Sequence, residues 1–421
     1  MVVTHCIAVM QAGKIFAHAT LRIVRSAQVK FNRRLLSLCL CAILSSWTSQ
    51  AAEPGSPNEF QARRGLNFSS WLANAPRQPL YERDFRQVKQ AGFDHIRLPF
   101  NPEQFGYRLE QERKNPADAV DFSALDRAID LAATHELAVI LDVHPRSAFM
   151  KTLEDSAWAE TQFIELWSAL AQRYKKVPAQ KIAFALLNEP QYYTAGERYH
   201  QFMRRLIAAI RAVAPAHTII VSAPRGSSIK GVTAMQPFDD PNIIYDFHFY
   251  EPYIVTHQGI HMGFPEKMLR FFRKVPYPSD RVERDANYHA PMATIPEQAQ
   301  SELKEYTDAG WNDEKIAGRI KVAADWAAQH QARLICGEFG ALRNHIDPAS
   351  RYRWIAGVRR ALESHGIGWS LWDYADLAGI AKPVGKTSTD PVDGSIRLVN
   401  PAQGHRMIEP EALAALGLHT P

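Results

Sequence analysis

Eight short apolar runs recur along the chain, and most are followed by a stretch whose apolar positions return every three or four residues. The runs are RGLNFSSW (64–71), HIRLPF (95–100), LAVILDVH (137–144), KIAFALLNE (181–189), TIIVSA (218–223), IIYDFHFY (243–250), RLICGEF (333–339) and IGWSLWDY (367–374). Helical patterns fall at 81–92, 122–136, 158–174, 198–214, 312–330 and 351–366, with a last one at 410–418. Continuous apolar strands separated by helices imply a parallel sheet covered on both faces. Eight such units imply closure into an α/β fold of one domain, the (β/α)8 TIM barrel, here expected over 60–420. The alternative, an open doubly wound sheet, gains no support, because no GxGxxG or Walker pattern follows any strand.

Polar and aromatic residues cluster at the C-terminal ends of these runs: Asn67 and Trp71, Arg97, Asp142 and His144, Asn188 and Glu189, His248 and Tyr250, Glu338, and Trp369 with Trp372. Each alone has a structural explanation, such as a core ion pair, a satisfied histidine or a packed tryptophan. Together they lie at the one face of a barrel where stability does not require polar groups and where catalytic residues gather.

Glu189 and Glu338 stand out within this set, as two carboxylates in equivalent settings far apart in sequence. Paired carboxyl groups suit glycosidic-bond cleavage, one protonating the leaving oxygen and the other attacking or activating water. Strands four and seven face one another across a barrel mouth, which suits the ~5–5.5 Å spacing of a retaining enzyme. Asn188 is placed to bond a sugar 2-hydroxyl, and Tyr250 and Arg97 to hold a nucleophile ionised. The acid, by contrast, needs a raised pKa. His144 and His248 would orient these groups or bind hydroxyls, and a tryptophan face would stack on a pyranose ring.

Composition narrows the class. The chain has 421 residues, 46% hydrophobic and 22% charged, enough for a large soluble core. The net charge of +5 owes much to basic residues crowded before position 35, so no nucleic-acid partner is expected. KFNRR (30–34), the apolar LLSLCLCAILSSW (35–47) and SQAA (49–52) read as a signal peptide cleaved near Ala51 and Ala52. Residues 1–52 are thus an N-terminal extension plus signal peptide, with residues 1–29 read as an over-extended start and translation beginning near Val29. The expected location is secreted or periplasmic, with no stable membrane span after cleavage; an uncleaved anchor is the alternative. Cys6, Cys39 and Cys41 fall in the removed segment, leaving Cys336 as a small buried residue beneath the site. No CxxC or HExxH spacing occurs, so no metal and no cofactor are expected.

The stretch from Glu251 to Arg333 is far longer than the usual βα loop of about 2–6 residues. It is expected to form a wall or lid over the cleft. Tyr253, Phe264, Phe271, Phe272 and Tyr277 within it are either sugar platforms or, more simply, its own packing.

RLPF, DVH, LLNEP, HFY, GEFG and SLWDY, in that order and at those strand ends, resemble glycoside hydrolase family 5, the cellulase A family of clan A. The resemblance covers about residues 60 to 380. It implies Glu189 as acid/base and Glu338 as nucleophile, with Arg97, His144, Asn188, His248, Tyr250 and Trp372 at the family's other active-site positions and Asn67 in the pocket. It also implies a polysaccharide or oligosaccharide substrate, with an endo-β-1,4-glucanase as the leading expectation. A β-mannanase or other β-glucanase, a glycan-binding barrel without turnover, and a metal-dependent hydrolase using His144 and His248 are the alternatives.

Overall fold

The computed structural model describes residues 59–72, 81–111, 120–194, 196–260, 268–282, 295–389, 396–399 and 404–419; the extension and signal peptide expected at 1–52 lie outside them. Strands β1 (Arg64–Asn67), β2 (His95–Phe100), β3 (Ala138–Val143), β4 (Ile182–Ala185), β5 (Thr218–Ser222), β6 (Ile243–Phe249), β7 (Arg333–Phe339) and β8 (Gly368–Leu371) form a closed parallel barrel. β8 returns to pair with β1, Leu371 opposite Leu66, which rules out the open sheet.

Helices α1 (Glu82–Gln90), α2 (Ser123–Thr134), α3 (Ala157–Tyr174), α4 (Gly196–Val213), α5 (Ile229–Thr233), α6 (Asp313–His330), α7 (Pro348–Ser364) and α8 (Pro410–Ala415) follow the strands in turn. Their starts are written in local chemistry. Asn312 accepts from Lys315 N at 2.9 Å to begin α6, and Asp347 accepts from Ser350 N at 2.9 Å to begin α7, with Pro348 in the first turn. Caps of this kind contribute ~1 kcal/mol each. α5 has five residues, too short to leave a periodic signal in the sequence.

Strand alternation sorts the core into two layers. Outward residues such as Ile96, Leu98, Val139, Leu141, Phe184 and Val221 pack under the helices, while Ala138, Ile140, Ala183, Ala185, Ile220, Ile244 and Ile335 form a separate interior cluster with Phe60. Phe60 precedes β1, so it closes the end of the barrel opposite the strand C-termini. His95 is buried beside Phe60, and above this apolar layer the interior turns polar, with Arg97, Asp142 and Asp246 all buried. Gly65 belongs to this crowded interior, since a Cβ there would lie 2.0 Å from His95 Nε2.

The segment after β6 is partly described. Its described portion holds a short helix at Tyr253–Thr256 and a longer one at Glu297–Asp308. Glu251 accepts from Arg319 of α6 through Nε at 2.7 Å and Nη2 at 2.9 Å, fastening the start of the segment to the barrel. Phe272 and Tyr277 are fully buried, so they pack rather than line a cleft; Phe264 lies outside the described residues. Between β8 and α8, Ala381–Val384 pairs antiparallel with His405–Ile408, a small sheet that the sequence reading did not anticipate. Its Arg406 meets Asp84 of α1 at 3.3 Å, and Tyr374 donates to the same carboxylate at 2.6 Å. No helix among the described residues is long and apolar enough to cross a membrane.

Candidate active site

Arg97 organises the C-terminal mouth of the barrel. It is buried on β2, and Nη1 donates to Glu338 Oε1 at 2.7 Å and to Asn67 Oδ1 at 2.9 Å. Nη2 donates to Asn188 Oδ1 at 2.7 Å and pairs with Asp142 Oδ2 at 3.0 Å. Burial opposes its charge, but Asp142, Glu338 and Asp246 outweigh that and hold the guanidinium above the ordinary arginine value. Asn67 is fully buried and spends its amide nitrogen on the carbonyls of Gly337, Ser370 and Leu371. It therefore sits beneath the pocket and props Arg97 rather than facing a ligand.

Glu338 owes its direction to an irregularity in β7. Phe247 of β6 pairs with Cys336, but the next residue, His248, pairs with Glu338, so Gly337 is an extra residue. The bulge breaks the alternation that would put residues 336 and 338 on one face. Cys336 accordingly packs in the layer under the helices rather than beneath the site, and Glu338 turns inward. Tyr250 donates to Glu338 Oε2 at 2.8 Å. Burial, with Glu338 and Glu189 nearby, drives the Tyr250 phenol well above its usual value, so it remains a proton donor.

Glu189 follows β4 by four residues, in a backbone with φ of 43°. The chain beyond it is tied down by Glu154, which accepts from Gln191 N at 2.9 Å and Tyr192 N at 3.2 Å. His248 Nδ1 lies 2.9 Å from Glu189 Oε1 and 3.5 Å from Glu338 Oε2. Burial alone would lower the basicity of His248, yet Glu338, Asp246 and Glu189 push it up to about 10. For Glu189, burial acts upward, and the hydrogen bond and charge of His248, with His144 and Arg97 behind it, outweigh it. The raised pKa expected of the acid is thus not found; the Glu189 carboxyl is held below its usual value. The charges around the pair favour the proton on the imidazole.

His144 and Trp372 form a second wall. His144 Nδ1 faces Asp142 Oδ2 at 3.2 Å and its Nε2 meets Asn188 Nδ2 at 3.2 Å, while its ring stacks on Trp372 with centroids 5.7 Å apart. With Asn188 Oδ1 taken by Arg97, its amide nitrogen donates to His144 and keeps one hydrogen for a ligand. Trp71 is half-buried against Phe85, and Trp369 belongs to the layer under α7, donating to Glu363 Oε1 at 3.3 Å, so neither faces this wall.

One ligand atom each from Glu189, His248 and Glu338 lie within 4.8 Å of one another. Such a trio has the donor set for a divalent cation, but both oxygens of Glu338 already accept hydrogen bonds from Arg97 and Tyr250. A guanidinium in contact opposes a second cation there. His144 is not part of that trio.

The family model described as cellulase, glycosyl hydrolase family 5, matches residues 55–377. The chain belongs to glycosyl hydrolase family 5. Endoglucanase C of Acetivibrio thermocellus is 26% identical to this family 5 member over 336 residues, covering 75% of this chain and 92% of that protein. Among solved structures, the cellulose synthase subunit Z of Clostridioides difficile superposes with a TM-score of 0.62 at 23% identity, over 85% of this chain and 99% of that one. Thermotoga maritima Cel5A in complex with cellobiose gives 0.63 at 22% identity, over 84% and 97%. These two likenesses concern the fold.

Arg97, Asn188, Glu189, His144, His248, Tyr250, Glu338 and Trp372 are brought together in this family 5 barrel. Three contributors escaped the sequence reading. Glu154 sits on the helix Ser147–Asp155, where nothing local marks it as a partner of the Glu189 loop. Gly337 carries the bulge, which a single sequence does not announce. Asp246, two residues before His248 on β6, shares its interior face, and that parity was a usable signal.

Proposed function

We propose that this family 5 member is a retaining endo-β-1,4-glucanase in which Glu338 is the nucleophile and Glu189 the acid/base. The observation that carries the mechanism is the approach of one oxygen of each carboxylate to within 4.8 Å of the other. Inverting enzymes need ~6.5–9.5 Å to admit water between carboxyl and sugar.

The different surroundings of the two groups support these roles. Glu338 accepts from two fixed donors, Arg97 and Tyr250, which favours an ionised group that attacks the anomeric carbon. Glu189 has a side chain 40% exposed, and its carboxylate is hydrogen-bonded to the His248 imidazole. Substrate covering Glu189 removes water from the carboxylate, which favours its neutral form, and the proton crosses the 2.9 Å bond from His248. Glu189 then protonates the departing oxygen while Glu338 forms the glycosyl ester. In the second half the Glu189 carboxylate takes a proton from water, which attacks the ester. The free Asn188 hydrogen suits the 2-hydroxyl of the sugar, and the stacked Trp372 ring a pyranose face.

The glucan assignment is supported by the endoglucanase name of the Acetivibrio relative. Hydrolysis assays on carboxymethyl-cellulose, mixed-linkage glucan, mannan and xylan test it, and turnover confined to mannan would overturn it. Product stereochemistry by proton NMR tests the mechanism, and an inverted first product would sink it. Export is part of this reading through residues 30–52 alone. N-terminal sequencing of the protein from its native host tests it, and a mature chain starting before residue 45 would refute it.

A further inference from the structure

Asp246 is buried at 1% exposure on β6, and its carboxylate meets three neighbours below the barrel mouth. Oδ1 accepts from Gly337 N at 2.7 Å, the extra residue of the β7 bulge. Oδ2 accepts from Ser222 Oγ at 3.1 Å and lies 3.4 Å from His248 Nε2, a charge contact without hydrogen-bond alignment. A Cβ at Gly337 would stand 2.5 Å from Asp246 Oδ1, so the close approach requires glycine. The bulge also turns Glu338 inward, and His248 presents its other nitrogen to Glu189.

We propose that Asp246 is a positioning residue for both glutamates: it holds the Gly337 bulge that aims Glu338, and it fixes the His248 ring that faces Glu189. This rests on the roles given to Glu338 and Glu189 under Proposed function. A carboxylate is suited to the task because all three neighbours present hydrogens or positive charge to it. An asparagine must turn its NH2 toward at least one of them.

The charges around this centre define the readout. His248 faces Glu189 beyond β4, Glu338 from β7 and Asp246 from its own strand. Asp246 in turn is faced by Arg97 from β2, Ser222 from β5, Gly337 and Cys336 from β7, His248 from β6, and Tyr199 from α4. Neutralising Asp246 removes one of three carboxylates that keep the imidazole protonated. The alkaline limb of kcat/KM must then move toward acid.

The test uses the full chain with Asp246→Asn, Asp246→Glu and Ser222→Ala, assayed from pH 4 to 10 on an aryl β-cellobioside and on cellotetraose, with folding checked by circular dichroism. Asp246→Asn is expected to lower kcat ~100-fold, the scale of a misplaced reacting group, with KM within threefold, and to move the alkaline limb down by about one pH unit. Asp246→Glu restores the position of the limb while kcat stays at least tenfold low, because the longer chain displaces Gly337. Ser222→Ala stays within threefold of the parent at an unmoved limb. A folded Asp246→Asn enzyme with the parent limb overturns the proposal whatever its kcat. Should Asp246→Asn fail to fold, Asp246→Glu at parental kcat overturns it instead. Loss of the limb shift while Glu338→Gln is inactive refutes this inference alone; an active Glu338→Gln refutes the functional reading beneath it.

Discussion

Glu189 Oε1 lies 2.9 Å from His248 Nδ1, and the charges around the pair favour its proton on the histidine. Glu189 is therefore a proton donor only once substrate changes its surroundings. Its removal should hurt in proportion to the help the leaving group needs. Glu189→Ala is expected to lose about 10³-fold or more in kcat/KM on cellotetraose, but about tenfold or less in the glycosylation step on a dinitrophenyl cellobioside. Pre-steady-state release of the phenol measures that step. Equal losses on the two substrates would remove Glu189 from the acid role.

Glu338 is held by Arg97 at 2.7 Å and Tyr250 at 2.8 Å. Glu338→Gln retains the shape and hydrogen-bonding atoms of the side chain but not the nucleophile. Turnover is expected to fall at least ~10⁴-fold while the thermal midpoint stays within a few degrees. Tyr250→Phe removes one donor and is expected to cost about 10²-fold in kcat, in the range for a lost donor at a charged reacting group. Activity of Glu338→Gln above a few per cent would point to another nucleophile.

The contact between Arg97 and Glu338 also bears on metal dependence, because a cation bound by Glu189, His248 and Glu338 would have to displace or tolerate the guanidinium. Dialysis against millimolar EDTA is expected to leave kcat unchanged. Loss of activity on chelation, restored by one metal, would contradict the carboxylate-only mechanism.

The barrel was legible because its strands are buried on both faces and its helices on one, so the two periods separate cleanly along the sequence. Arg97, His144, His248 and Tyr250 could be placed at the mouth because they stand at strand ends in a chain of apolar runs. The facing of Glu338 and Cys336 was not legible. Strict alternation puts them on the same side, and the Gly337 bulge that separates them is fixed by Asp246 and Asn67, which are distant in sequence. Asn67 and Trp369 were set at the mouth by position alone. Asn67 lies one layer lower and Trp369 points outward, distinctions that depend on where each strand ends.

His248 also sets how stability depends on pH. Its folded value is pushed up to about 10, above the ~6.5 of an unfolded histidine, by Glu338, Asp246 and Glu189 working against burial. A group raised in this way contributes its full stabilisation below about pH 6.5 and loses it as pH rises toward about 10. Other shifted groups act outside the middle of that range. The lowered His217, His257 and His345 act below about pH 7.5, and Asp373, raised to about 7 by burial and Asp376, adds to the same fall near pH 7. Buried Cys336 and the raised tyrosines act only near pH 9 and above. Between pH 7 and 9 the unfolding free energy should therefore fall with a slope of about 1 kcal/mol per pH unit, set by the proton that the folded state keeps and the unfolded state releases. Urea unfolding at pH 7, 8 and 9 measures it. His248→Asn should flatten the slope, and a parent enzyme whose stability is level across that interval would show that His248 is not held protonated.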